Sequence, residues 1–248
     1  MSLPDSVSIL IVLTFLLAGF VKGVIGLGLP TVAVGLLGLV MAPAQAAALL
    51  VVPSLVTNLW QLFAGPAFLP VLRRLWLMLL GICFGSWLGA GLLTGAHSGH
   101  ATVALGIALA VYAAIGLSQV RFSVPARWET MLTPLVGTLT GLVTGATGVF
   151  VIPAVPYLQA LGLGKDDLIQ ALGLSFTIST IALAGGLLAQ GAFAISIGQT
   201  AVIALLPAVA GMLIGQWVRG RVRPEVFRLC FFLGLLVLGA DLALRGLF

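Results

Sequence analysis

Acidic side chains are almost missing from this chain: six Asp and Glu in 248 residues, against eleven Lys and Arg. Charged residues of both signs make up only 7%, where a soluble globular chain carries about 25%. So few charges cannot keep a chain of this length in water, and no stretch is hydrophilic enough to fold as a separate soluble domain. Cysteine is scarce as well. Cys83 and Cys230 both lie inside apolar runs, which argues against a disulfide framework and predicts that each packs in the core. No stretch reads as a linker, tail or low-complexity segment. A basic n-region is lacking at the start, where Asp5 stands, so a cleaved signal peptide is not expected.

What the chain does have is apolar surface: 61% hydrophobic residues and a mean hydropathy of +1.26. Its uncharged runs are too long for the short alternating strands of an outer-membrane barrel. The expected class is therefore an all-α integral membrane protein whose main partner is the lipid bilayer. An isoelectric point near 10.0 often signals nucleic acid, but here the bases sit in short loops between apolar runs. They read as a topology signal, and no nucleic-acid partner is expected.

A spanning helix needs about 20 residues. Residues 75–96 and 101–120 then make one helix each. Residues 168–218 make two, turning at Gln190-Gly191-Ala192, and the last helix runs past Asp241 toward Arg245. The stretches 6–41 and 130–163 fit either one overlong helix or two short ones. Charge decides between them. With single crossings the loop bases split evenly between the two sides; with there-and-back pairs, the nine bases from Arg73 to Arg228 share one side and Arg245 alone opposes them. The positive-inside rule selects the paired version. That predicts ten segments in the cell inner (cytoplasmic) membrane, with basic loops in the cytoplasm and both termini outside. Segments 6–22, 28–41, 131–145 and 149–162 come out short, roughly 22 Å each at 1.5 Å per residue, so they either cross barely or re-enter.

The chain also repeats itself. Gly19, Gly23 and Gly26 recur as Gly141, Gly145 and Gly148, with Pro30 and Pro153 following. Gln45-Ala46 matches Gln170-Ala171, Ser54 matches Ser179, Ala67-Phe68 matches Ala192-Phe193, and Gly85 and Gly89 match Gly211 and Gly215. Two repeats follow, 1–120 and 121–248. Five segments per repeat is odd, so the second enters the membrane inverted, as in secondary transporters with discontinuous helices near the midplane. Each repeat is expected to begin with short broken or re-entrant helices. The GxxxGxxG–Pro elements suit such breaks, because glycine permits unusual backbone and proline starts the next helix. Tight helix packing is the competing use of the same glycines.

Helix N-termini at such breaks favour anions. Lys22 is the one base inside the first glycine motif, and Thr144 is its counterpart. Lys22 suits either snorkelling to the cytoplasmic interface or attraction of an anion. Around the breaks stand Thr31, Ser54, Thr57, Asn58 and Gln61 in one half, and Thr147, Ser175, Thr177, Ser179 and Thr180 in the other. Together they offer donors for an oxyanion. Asp5, Glu129, Asp166, Asp167, Glu225 and Asp241 all fall at segment ends or loops, and His97 and His100 share one outside loop. That leaves no intramembrane acid for a proton relay, no metal site and no cofactor site. Facilitated efflux of an anion needs none of these.

The stretches LAGFVKGVIGLGLPTVAV (17–34), GLVTGATGVFVIPAVPYLQALGL (141–163) and QALGLSFTIST (170–180) resemble the two halves of the sulfite exporter TauE/SafE family. The resemblance implies a transporter of small sulfur-containing anions such as sulfite, thiosulfate or organosulfonates, generally exporting them. Carried over by position, it implies a site around Gly23, Gly26, Gly28, Gly145 and Gly148 with nearby polar residues. Leu27-Gly28-Leu29-Pro30 departs from the more usual glycine-rich continuation. An anion channel or a permease for another small anion is the alternative. An intramembrane enzyme is not expected, since no nucleophile–base pair, HExxH helix or paired acids occur. Nothing in the sequence decides for or against a homo-oligomer.

Overall fold

The computed structural model describes residues 5–94, 98–118, 120, 123–193, 195–221 and 223–245. Among these there are ten helices and no strand. They are α1 Asp5–Ile25, α2 Leu29–Leu37, α3 Pro43–Phe63, α4 Phe68–Thr94, α5 Ser98–Ser118, α6 Ala126–Thr147, α7 Ala154–Ala160, α8 Lys165–Ala189, α9 Ile195–Arg219 and α10 Pro224–Arg245. Seven of them are long and apolar enough to cross a membrane; α2, α6 and α7 are not counted among those.

The breaks fall where the glycines put them, but of the four segments expected to be short only the second of each pair is so. With 21 and 22 residues, α1 and α6 are full length, about 32 Å at 1.5 Å per residue. The shortness is confined to their partners, α2 with nine residues and α7 with seven. Six threonines keep α6 less apolar than its neighbours. Five of them, Thr133, Thr138, Thr140, Thr144 and Thr147, each donate their hydroxyl to the carbonyl one turn back, which is how a hydroxyl is satisfied where water is absent.

Helices pack mainly in four pairs: α4 with α6, α1 with α9, α5 with α10, and α3 with α8. The first two pairs are glycine seams. A Cβ on Gly85 would stand 2.0 Å from the Thr138 carbonyl oxygen, and one on Gly141 would stand 2.1 Å from that of Ile82. In the other pair, a Cβ on Gly19 would stand 2.0 Å from the Ala208 carbonyl oxygen, and one on Gly211 would stand 2.0 Å from that of Leu16. Such approach is how helices bind in lipid, where no hydrophobic effect drives them together. Gly23 and Gly145 belong to these seams, against Met212 and Ser86 respectively, so the packing use of the motif accounts for them.

The outer face is apolar and exposed, as a lipid-facing surface must be. All five tryptophans are exposed, from Trp128 at 47% to Trp87 at 74%. Trp128 and Trp217 lie under Arg127 and Arg221, a placement that suits the interface. Cys83 and Cys230 are free and exposed on this face, which corrects the expectation of core packing. In a membrane bundle an apolar run has two apolar destinations, the core and the lipid.

Apart from Arg245 in the last turn of α10, the described bases cluster at one end. Arg74 pairs with Glu129 at 2.6 Å and also reaches the Leu161 carbonyl, tying α4 to α6 and to the end of α7. Arg228 reaches the Gly116 carbonyl, tying α10 to the end of α5. Arg121 and His97 lie outside the described residues, and His100 stands in the first turn of α5.

The seams give a direct test. Gly85→Leu places a branched side chain against the α6 backbone and is expected to cost about 3 kcal/mol or more of stability, read as a fall in melting temperature of the detergent-purified protein. Gly91→Leu, on the same helix with nothing within 4 Å of its Cβ position, is expected to melt like the parent. Equal behaviour of the two variants would contradict the seam.

Candidate functional site

Lys22 sits in the last turn of α1 and is 5% exposed. It does not snorkel. Its ammonium donates to Thr57 Oγ1 at 3.1 Å and to Asn58 Oδ1 on α3. Asn58 in turn donates through Nδ2 to Ser54 Oγ at 3.0 Å and to Thr180 Oγ1 at 3.3 Å. The Ser54 and Thr180 hydroxyls stand 3.2 Å apart, joining α3 to α8. Ser54, Thr57, Asn58 and Gln61 follow three- and four-residue spacing, so they form one polar stripe on α3.

Every hydrogen-bond acceptor of Lys22 is neutral. Of the described acids, Glu129 is taken by Arg74, Asp241 by Arg245, and the others stand in the first turns of α1, α8 and α10. A lysine buried without a carboxylate is costly unless another charge compensates it. An ammonium has three donors, and the protein engages two of them through Thr57 and Asn58.

Lys22 lines a cavity of about 450 Å³. Gly23, Gly26, Thr57 and Gln61 form the wall beside it, and Gln159, Gln216, Lys165 and Arg219 complete it toward the basic end of the bundle. Lys165 and Arg219 are exposed, and among the described residues no acid lines the cavity. Three cations and no anion in one wall attract a negatively charged solute. Gly26 has φ +79° and open space where a Cβ would stand, so its backbone faces the cavity unobstructed.

The other expected residues are placed differently. Gly28 and Thr31 are not in the cavity wall; the Thr31 hydroxyl donates to the Gly28 carbonyl at 2.9 Å and shapes the break before α2. Thr147 does the same in the second half, donating to the Val143 carbonyl at 2.7 Å and accepting from the Val149 amide at 3.1 Å. Gly148, at φ +75°, ends α6 with its amide on the Thr144 carbonyl. Ser175 and Ser179 are buried on α8, their hydroxyls without a partner, and neither lines the cavity. Gly145 instead lines a closed crevice with Ser86, Ala90, Leu183 and Gly186 that has no room for a water molecule. The structure thus gathers Ser54, Thr57 and Asn58 with Thr180 of the second half at Lys22, sets Gly23 and Gly26 beside it in the cavity wall, and leaves Gly145, Thr147, Gly148, Ser175 and Ser179 apart. Gln159, Gln216, Lys165 and Arg219 were not foreseen as site residues, although glutamines inside apolar runs carry that signal.

Helices of membrane length, a lipid-facing apolar surface and an acid-free basic cavity define a multi-pass membrane protein that attracts anions. The chain belongs to the sulfite exporter TauE/SafE family, whose match runs over residues 11–242, nearly the whole length. That family is one of membrane transporters of sulfur anions such as sulfite. Neither the curated proteins nor the solved structures yield a match.

The coupling of Lys22 to Asn58 is testable through stability. Asn58→Leu strips the buried ammonium of an acceptor and is expected to cost about 2–3 kcal/mol. Lys22→Met removes the charge itself and is expected to melt close to the parent, since an apolar replacement of a buried ion is often neutral or better. The double variant should recover most of the Asn58→Leu loss. Simple additivity of the two effects in thermal melts would contradict the coupling.

Proposed function

We propose that this chain exports a small sulfur-containing anion, such as sulfite, thiosulfate or an organosulfonate, from the cytoplasm by alternating access. The observation that carries this is the buried Lys22 ammonium, bonded only to neutral groups, at the wall of a cavity with no acid in it. The anion is the missing counter-charge. On binding it exchanges water for the ammonium and the surrounding hydroxyl and amide groups. Because no acid or second ion is needed, an inside-negative potential suffices to drive a monovalent anion outward, by about 2.3 kcal/mol per 100 mV.

Two inverted halves, 1–120 and 121–248, are part of the same proposal. Exchanging α1 with α6, α3 with α8 and α4 with α9 preserves the main packing pairs. It also carries the basic cavity onto the closed crevice: Gly23 onto Gly145, Gln61 onto Gly186, and Gln216 onto Ala90. One member of the pair is wide and the other is shut. This supports a cytoplasm-facing state whose alternate form opens the crevice and closes the cavity. The basic end then faces the cytoplasm of a cell inner membrane, both termini face outward, and α2 and α7 with their flanking breaks make the short return passes. A channel needs a path open at both ends, which the closed crevice does not offer.

Two experiments test the proposal. Gly26→Leu fills the cavity beside Lys22 and is expected to abolish sulfite efflux from loaded vesicles while membrane insertion stays normal; efflux at the parent rate would remove Gly26 from the route. The second uses Ala90→Cys with Gly186→Cys in a background lacking Cys83 and Cys230. A Cβ on Gly186 would stand 3.0 Å from that of Ala90, within small adjustment of disulfide range. Oxidation is expected to stop efflux, spare sulfite binding and be reversed by reductant. Undiminished efflux with the crosslink formed would contradict the crevice as a gate.

A further inference from the structure

The cavity at Lys22 has a neighbour. A second cavity of about 280 Å³ lies at the same basic end, bounded by α1, α5, α7, α10 and the end of α9. The two share Ile25, Leu27, Gln159 and Arg219 in their walls. Most of the second wall is apolar, yet it includes Tyr112, Arg219 and Arg228 and no acid.

Tyr112 is the unexplained residue. It is 2% exposed, and its hydroxyl has no hydrogen-bond partner. Its ring packs edge-on against Phe232 at 5.2 Å, a contact that phenylalanine would make equally well. Packing therefore accounts for the ring and leaves the hydroxyl without a use, and a buried donor with no partner is costly. Arg228 is held at the same place by the Gly116 carbonyl at 3.3 Å and by the Phe232 ring at 5.5 Å. It keeps most of its five donors free of protein partners. Arg219 has no ion pair among the described residues and completes both cavities.

We propose that this second cavity binds an oxyanion headgroup through the Tyr112 hydroxyl and the Arg228 guanidinium, beside the Lys22 site and sharing Arg219 with it. A hydroxyl donor and a planar guanidinium suit the tetrahedral or pyramidal oxygens of a sulfur or phosphorus oxyanion. The apolar remainder of the wall suits a hydrocarbon portion attached to that headgroup. Two sources share this chemistry. One is the exported anion itself, waiting at the cytoplasmic mouth, and this version rests on the export reading. The other is the phosphate of an anionic lipid in the cytoplasmic leaflet, which does not.

The experiment titrates purified, delipidated protein with sulfite, and in a second arm incubates it with phosphatidylglycerol before native mass spectrometry. The parent is expected either to bind two sulfite ions or to retain one phosphatidylglycerol that competes with the second sulfite; competition identifies the source. In either arm Tyr112→Phe should weaken the second ligand about tenfold, the usual worth of a hydrogen bond to a charged group. Arg228→Gln should weaken it at least as much, and Lys22→Met should abolish the other sulfite event alone. Tyr112→Phe removes a hydroxyl with no protein partner, so its melting temperature should not fall, and lost binding then reports a lost ligand contact. Identical sulfite titration and lipid retention in the parent, Tyr112→Phe and Arg228→Gln would overturn the proposal. Failure of the parent to bind any sulfite would count against export instead, with the lipid arm still deciding the second cavity.

Discussion

A positive charge buried without a negative one is the constraint around which this bundle is arranged. Lys22 lies at the end of α1, inside the protein, on an α3 stripe of hydroxyl and amide groups. Dipoles of that kind soften the loss of water but do not neutralise a charge. The nearest charged side chains in the same cavity, Lys165 and Arg219, have the same sign and add to the demand for an anion. A soluble protein would meet it with an aspartate. This chain keeps its acids at the ends of helices, and among the described residues none lines the cavity at Lys22.

The glycine seams provide the frame that holds the charge in place. Helices α1 and α9 meet backbone to backbone at Gly19, Gly211 and Gly215, as α4 and α6 do at Gly85, Gly89 and Gly141. Each pair is too closely fitted to slide without clashing, so each behaves as one body. The basic cavity opens where α1 and α9 meet α3 and α8, and the closed crevice lies where α4 and α6 meet α8. Both sites thus lie at contacts between bodies and not within them. Relative movement of bodies can open one and close the other without unpacking a seam.

Much of the fold was legible because few residue types carry the signal. Arginines and lysines mark the helix ends at the basic side, and the breaks fall at Gly26–Gly28 and after Gly148. Helices α1 and α6 are longer than the sequence predicts because Gly19, Gly23, Gly141 and Gly145 do not end a helix but pack helices side by side. Cys83 and Cys230 were misplaced because hydropathy does not separate lipid from core. The site was half legible. Its first-half members could be read from the α3 spacing, but a symmetric repeat suggested symmetric donors. Thr57 and Asn58 correspond in the second half to Ala182 and Leu183, so the polar cluster is built mainly from α3 with Thr180 joining it from α8, and Ser175 and Ser179 are left without partners.

Ligand-induced stabilisation decides whether Lys22 holds the anion that the proposal assigns to it. Sulfite is expected to raise the melting temperature of the purified parent in a concentration-dependent way, and to raise that of a folded Lys22→Met variant markedly less. Equal stabilisation of the two proteins by sulfite would contradict the account.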